Sequence, residues 1–123
     1  MDLALLTDGW PYDEHEDAAN VRKVNGVDGY MKIQVRIRNG IIQWEAKGRP
    51  DGAEPYGCAS VLEHCENMLA RGASVLENFN ADLIDELILE LFDFYRRSQA
   101  LFRLGDYDLA LSDVDHALRI LTI

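Results

Sequence analysis

The segment Tyr30–Lys47, which reads YMKIQVRIRNGIIQWEAK, contains the pattern that decides the fold. Its first half alternates apolar with polar side chains, the apolar ones being Met31, Ile33, Val35 and Ile37. A repeat of two residues is typical of a strand with one buried face. Asn39-Gly40 follows, a favoured pair for a two-residue type I′ turn. The segment therefore predicts a β-hairpin.

The turn also predicts which residues of the two strands face each other. A loop of Asn39-Gly40 pairs Arg38 with Ile41 and continues with three apolar pairs: Ile37 with Ile42, Val35 with Trp44, and Ile33 with Ala46. One face of the hairpin is thus expected to be buried. A lone two-stranded hairpin is marginal in water, so a third strand or a helix must cover that face. The segment 21–24 is a candidate third strand, which would complete an antiparallel meander.

The other face of the hairpin is basic, and the loop after it adds another cation. The candidate binding residues, called the basic set below, are Lys32, Arg36, Arg38, Lys47 and Arg49. They fit a surface for phosphate or an acidic partner, or a solvated face whose charges protect the sheet edges. The acidic segment 13–17 could also fold over them and neutralise them. No exposed aromatic residues are interleaved for stacking on bases, which argues against nucleic acid as a partner.

The second half of the chain predicts three helices. Ser60-Val61-Leu62-Glu63 is a capping box that opens a helix to about Arg71, which we expect to cover the hairpin and to place Cys65 in the core. Asn80 precedes a helix that runs to about Leu104, and Asp106 precedes a last helix to about Leu121. The middle helix has so wide an apolar arc that it is either central to the fold or part of a subunit interface.

The stretch from Leu101 to Leu111, followed by Ala117-Leu118, resembles the centre of a tetratricopeptide repeat. The matching positions are Gly105, Tyr107, Ala110 and Ala117, whereas Val114 replaces the family's aromatic residue and Thr122 its proline. The resemblance spans about 92–122 and occurs once, although a solenoid needs about three copies. It implies a helical hairpin formed by the last two helices.

A second resemblance involves the same segment with Asp106-Tyr107 and Asp115. It is similar to the short helical-hairpin motif of the UvrB and UvrC repair proteins. The whole chain, with Gly48-Arg49-Pro50-Asp51-Gly52 before its helices, resembles small bacterial proteins of the planctomycete type that are sometimes labelled with that motif. This resemblance implies protein–protein contact.

The residues that could carry chemistry do not form a recognisable site. His64 and Cys65 are neighbours on a helix and point about 100° apart, and Cys58 and Cys65 lack the spacing of structural zinc ligands. Asp113 and His116 have ligand-like spacing but no matching pair elsewhere. A stripe of acids along the long helix is expected to be solvated: Asp82, Glu86, Glu90 and Asp93. We therefore assign no catalytic, cofactor-binding or metal-binding residues.

Length and charge set the remaining expectations. The 123 residues carry a net charge of −10, with acids dominating 1–20 and 51–123 and bases dominating 21–50. One domain over 1–123 is expected, with an acidic N-terminal segment (1–20), a β meander (21–47) and a helical part (58–121). No apolar run approaches the 18 residues of a membrane span, so no membrane contact is expected. Two cysteines fit a reducing, cytoplasmic location.

Together these features predict an α+β domain in which a β-hairpin or three-stranded antiparallel meander packs against about three α-helices. The expected function is that of a small soluble, non-enzymatic protein–protein interaction module without a cofactor. Its partner is either another protein or a second copy of the chain. One alternative is a nucleic-acid or phosphate-binding accessory protein that uses the basic hairpin face. A second alternative is a small enzyme.

Overall fold

The structure is a computed structural model that describes residues 3–123. Three strands, β1 (Val21–Asn25), β2 (Met31–Ile37) and β3 (Gly40–Glu45), form an antiparallel sheet in the order β1-β2-β3. The helices are α1 (Leu3–Thr7), α2 (Val61–Ala70), α3 (Val75–Asn78), α4 (Ala81–Arg103) and α5 (Tyr107–Leu121). Short 3₁₀ turns cover Asp17–Asn20 and Pro55–Gly57. The α+β prediction is confirmed, and of the two sheets considered the three-stranded meander is the one observed.

The pairing of β2 with β3 differs from the predicted register by two residues. Ile33 faces Trp44 and Ile37 faces Gly40, so the loop is Arg38-Asn39 and not Asn39-Gly40. Neither Asn39 nor Gly40 has a positive φ, so the predicted type I′ turn is wrong. A shift of two leaves every side chain on the same face of the sheet, which is why the buried face is still correct.

The arginine side chain of Arg36 explains part of this register. Its Nη1 donates to the carbonyl oxygens of Arg38 at 3.3 Å and Gly40 at 3.2 Å, and also to that of Ile37. The guanidinium thus satisfies backbone acceptors on both sides of the turn. A turn held in this way does not need the residue preferences of a type I′ loop.

Helix α4 contributes to two separate apolar cores because its 23 residues span about 34 Å. At its C-terminal end a sheet core contains Val21, Ile33, Trp44, Ala46, Ala100, Leu101 and Ala110. At its N-terminal end a second core, the α2 core, contains Val61, Leu62, Cys65, Leu83, Leu87 and Ile120. The expectation that α2 covers the hairpin is therefore wrong: α4 and α5 cover the sheet, and α2 packs at the other end of α4.

The predicted helix caps are mostly confirmed. Ser60 Oγ accepts from the Glu63 N–H at 3.0 Å, and Asn80 Oδ1 accepts from the Leu83 N–H at 2.9 Å. Asp106 precedes α5 as expected, and its carboxylate accepts from Lys23 Nζ at 2.5 Å. That bond holds the pKa of Asp106 below its ordinary value. It also joins the start of α5 to strand β1.

Within residues 3–123, none of the helices combines the length and the apolar character that crossing a bilayer requires.

Candidate functional site

Two members of the basic set lie inside the protein. Lys32 is buried, with its Nζ 2.8 Å from Asp28 Oδ2 and 2.5 Å from Glu45 Oε1, and these two carboxylates raise the pKa of the lysine. Arg36 is also buried, and its Nε donates to the Trp10 carbonyl at 2.6 Å. Both cations thus bind groups of the chain itself.

The other three members of the basic set lie apart from one another. Arg38 is exposed, 4.0 Å from Glu14 and with its guanidinium 5.9 Å from the centre of the Tyr12 ring. Lys47 is exposed at the end of the sheet. Arg49 is largely buried beside α4. The basic set therefore does not form one exposed surface.

The acidic N-terminal segment packs across one end of the sheet. The Trp10 indole donates to the Ala19 carbonyl at 2.8 Å, and Arg22 stacks over the Trp10 ring at 3.9 Å. Its contacts with the basic set are the Trp10 carbonyl on Arg36, and Tyr12 and Glu14 near Arg38. The first two residues of the predicted segment 1–20 lie outside the described residues.

Between the two apolar cores lies a layer of buried and largely buried ionisable groups, called the polar layer below: Glu90, Arg97, Asp113 and His116. Glu90 is 0% exposed. Its carboxylate accepts from the N–H groups of Val61 at 2.8 Å and Leu62 at 3.0 Å. These N–H groups belong to the first turn of α2, where no helical carbonyl can accept them. The Glu90 carboxylate on α4 therefore caps the N-terminus of α2.

The same contacts fix the charge of Glu90. Burial acts to raise the pKa of Glu90, but hydrogen bonds with His116 and with the two backbone N–H groups outweigh it and leave the pKa below its ordinary value. His116 Nε2 lies 3.1 Å from Glu90 Oε2, and Arg49 Nε lies 3.4 Å from Oε1. The carboxylate is thus held ionised in the interior.

The other half of the polar layer is a bidentate salt bridge between Arg97 and Asp113. Arg97 donates to the two carboxylate oxygens of Asp113 at 2.8 Å and 2.7 Å. Its remaining N–H groups donate to the carbonyls of Glu45 at 2.8 Å and Gly48 at 2.7 Å. The planar guanidinium suits this double contact with a carboxylate. Arg97 therefore connects α5 and the end of β3 to α4.

A cleft of about 450 Å³ opens over the polar layer. The His116 ring at its base stacks on Phe94, with the ring centres 3.6 Å apart. Arg119 and Glu66 form an ion pair and also line the cleft. The charged groups facing this space are thus largely paired with one another, and within residues 3–123 no group of three His, Cys, Asp or Glu side chains is placed to hold a metal ion.

The prediction that Glu90 is solvated is wrong. The acidic stripe on α4 is exposed only in part. Glu90 is fully buried, and Glu86 and Asp93 are half-buried. A usable signal was present: Leu87, Glu90, Phe94 and Arg97 follow one another at steps of three and four. That spacing puts Glu90 on the buried stripe of α4. Asp113 and His116 have ligand-like spacing in the sequence but do not act together. Asp113 binds Arg97, and His116 binds Glu90.

The cysteines differ in exposure. Cys65 lies in the α2 core as predicted, and burial raises the pKa of its thiol to about 11. Its neighbour His64 stacks on the Tyr56 ring at 4.0 Å. Cys58 is partly exposed and its sulfur lies 3.7 Å from the Tyr56 carbonyl.

The side of α4 and α5 that faces away from the sheet exposes large apolar side chains. Nine of them, called the outer face below, are between 43% and 69% exposed: Ile84, Ile88, Phe92, Tyr95, Phe102, Tyr107, Leu111, Leu118 and Leu121. An apolar groove of about 500 Å³ between the two helices runs through this face. Contiguous exposed patches of this kind mark interaction sites.

The outer face is built on a regular spacing in both helices. Steps of four and three residues connect Ile84, Ile88, Leu91, Tyr95, Ser98 and Phe102 on α4. The same steps connect Tyr107, Leu111, Val114, Leu118 and Leu121 on α5. This alternation has the average period of 3.5 residues that helices use when they pack side by side in coiled coils and bundles.

The chain matches no protein-family model, no curated protein and no solved structure. The tetratricopeptide-like and UvrB/UvrC-like resemblances stay predictions.

Proposed function

We propose that this protein is a protein–protein interaction module that binds helices of its partner through the outer face. The observation that carries the proposal is the pair of exposed apolar seams on α4 and α5, each with the spacing of a helix–helix contact. Most side chains at these positions are exposed and gain burial when another helix packs on them, whereas Ser98 is already buried and Leu91 and Val114 are half-buried within the chain. The module has no other extended helical face with this spacing among residues 3–123.

The size of the outer face fits an interface. Nine side chains that are about half exposed offer roughly 100 Å² each, which gives a face on the order of 900 Å². The largest apolar patch of a typical monomer covers about 300–600 Å², and each partner of a stable complex contributes about 800 Å². The outer face is therefore larger than an ordinary surface patch and comparable with one side of a specific interface.

The placement of the charged groups also favours this function over the two alternatives. Lys32 and Arg36 are occupied by internal partners, and the chain as a whole carries a net charge of −10, which repels phosphate groups. In the polar layer under the cleft, Glu90 accepts from backbone N–H groups and Asp113 accepts from Arg97. These groups act in stabilising the fold.

The test is capture of partners from a nuclease-treated lysate of the source cells, with two variants of equal charge change. In the first, Leu111→Lys with Leu118→Lys places two charges on the outer face. In the control, Val27→Lys with Leu76→Lys makes the same change at two exposed apolar residues elsewhere. We expect the wild type and the control to retain the same partners, including tagged copies of the chain itself, and the outer-face variant to lose them.

Equal capture by all three proteins would contradict the proposal, as would the absence of any partner, including a second copy of the chain. Partners lost on nuclease treatment and on Arg38→Glu would favour the nucleic-acid alternative.

A further inference from the structure

We infer that the outer face binds a second copy of the chain about a two-fold axis parallel to α4 and α5, so that α4 of each protomer lies on α5 of the other. This inference rests on the proposed function, because it names what the outer face binds. The product is a four-helix bundle with a sheet on each outer side. Its basis is the charge on the two edges of the outer face.

The edge of α4 that faces away from α5 is basic at its C-terminal end. Arg96 and Arg103 are exposed and seven residues apart, so they lie above one another on the same edge of the helix. The buried side of α4 is marked by Phe94 and Arg97, which contact His116 and Asp113 of α5. The two exposed arginines therefore border the outer face, and Arg103 Nη2 also lies 3.8 Å from Asp17 Oδ2 of its own chain.

The edge of α5 that faces away from α4 is acidic at its N-terminal end. Asp108 and Asp115 are exposed and also seven residues apart. Ala110 and Ala117 are buried on the opposite side of this helix. The outer face of one protomer thus has a basic edge on α4, an acidic edge on α5, and apolar side chains between them.

The heights of these charges match. Arg97 contacts Asp113, and Phe94 contacts His116. In both pairs the residue numbers add to 210, so a residue of α4 and a residue of α5 with that sum lie at the same height along the helix pair. Rotation about an axis parallel to the helices leaves every height unchanged. Arg96 therefore meets the partner's Asp115, and Arg103 meets the partner's Asp108. By symmetry the dimer contains two such sets.

The other simple two-fold arrangement lacks this complementarity on α5. An axis perpendicular to the helices would place α4 on α4 and α5 on α5. If the midpoint of the α5 seam lay on the midpoint of the same seam in the partner, the two Asp115 carboxylates would be close together and would repel each other. The charges therefore select the arrangement with the axis parallel to the helices.

The area supports a stable dimer. Two outer faces together bury on the order of 1,800 Å², within the range of about 1,200–2,000 Å² for specific complexes. The apolar seams supply the attraction, and the charged edges select the partner and its orientation.

The experiment measures the dimer dissociation constant of the full chain by sedimentation equilibrium at low salt. One variant, Arg96→Glu with Arg103→Glu, makes both edges acidic. A second, Asp108→Lys with Asp115→Lys, makes both edges basic. The fourfold variant carries both changes, so its edges are complementary again and its net charge equals that of the wild type. Circular dichroism confirms that each variant is folded.

We expect the wild type to dimerise, each double variant to raise the dissociation constant by about 10- to 100-fold, and the fourfold variant to return it to within about threefold of the wild type. An equimolar mixture of the two double variants should also form a mixed dimer. A monomeric wild type, unchanged double variants, or a fourfold variant as weak as the doubles would overturn the inference. If the wild type is monomeric but the outer-face variant still loses a captured partner, the proposed function stands and only the second copy is wrong.

Discussion

The two sides of the α4–α5 pair each hold side chains that are unusual for their position. The inner side buries the polar layer between the two apolar cores, whereas the outer face exposes nine large apolar side chains. In a protein that functions alone, ionisable groups are usually outside and large apolar side chains inside. The α4–α5 pair thus has two surfaces of different composition.

The difference lies in whether each group finds its partner within the chain. Glu90 binds the start of α2, and Arg97 binds Asp113 and two carbonyls, so the ionised groups are satisfied internally. The apolar side chains of the outer face are only partly covered by residues 3–123. The polar layer therefore stabilises the fold, and the proposed interaction between chains would cover the outer face.

The largest effect is expected from unpairing the polar layer. Asp113→Leu leaves the Arg97 guanidinium buried without its carboxylate and should lower the free energy of unfolding by about 3–5 kcal/mol. Chemical denaturation followed by circular dichroism, at one fixed protein concentration, measures this. The double variant with Arg97→Met should lose less than the single variant, because no unpaired charge remains. A cost below about 1 kcal/mol for Asp113→Leu would show that the pair is not as buried as described.

A smaller effect is expected at Glu90, and it depends on pH. Glu90→Gln keeps the shape but removes the charge that two N–H groups and His116 bind, which should cost about 1–3 kcal/mol at neutral pH. The pKa of Glu90 is lowered in the fold, so the charge stabilises the protein above the unfolded-state pKa of about 4.3, and this contribution is lost as pH falls through the folded-state value.

Denaturation at several pH values between about 6 and 3 checks the sign at Glu90. The wild type should lose more stability than Glu90→Gln over this range, so that the two approach each other in acid. Parallel curves would mean that Glu90 has the same pKa in both states.

The fold could be predicted where a short stretch of sequence decides the structure. Alternation predicted the hairpin strands, and Ser60 and Asn80 marked helix starts that the structure reproduces. The predicted register of β2 with β3 was wrong because it was inferred from Asn39-Gly40. No local sequence pattern displays the hydrogen bonds that Arg36 donates to the turn carbonyls. The predicted position of α2 was wrong for a similar reason, because it depends on contacts with the N-terminal end of α4, which is distant in sequence.

The candidate site was only partly visible in the sequence. The wide apolar arc of α4 predicted either a central helix or a subunit interface, and the structure buries part of that arc in the core and leaves the rest exposed. The burial of Glu90 and the pairing of Arg97 with Asp113 were missed, because an ionisable residue is ordinarily expected to be solvated. Their partners, the first turn of α2 and the end of β3, are distant in sequence.

The outer face should affect association without affecting the fold. Leu111→Lys with Leu118→Lys changes exposed residues, so the circular dichroism spectrum should be unchanged and the intrinsic stability of the monomer should change by less than about 0.5 kcal/mol. The melting temperature of the wild type should rise with protein concentration, as for any dimer, and that of the variant should not. Loss of helical signal in the variant would place these leucines in the core.

The smallest effect concerns the cysteines. A thiol reagent should modify Cys58 quickly and Cys65 only when the protein opens, because Cys65 is fully buried and its raised pKa keeps it protonated at neutral pH. Mass spectrometry of peptides after timed labelling distinguishes the two. Rapid labelling of both would indicate that the α2 core opens readily.

Cross-linking between two different chains tests the central claim most directly. One chain carries Arg96→Cys and the other Asp115→Cys, both with Cys58→Ser, and the mixture is oxidised. A disulfide-linked pair joining position 96 to position 115 is predicted, with little 96–96 or 115–115 product and none when Val27→Cys replaces Arg96→Cys. A 115–115 product of equal yield, or no product between chains, would contradict the account.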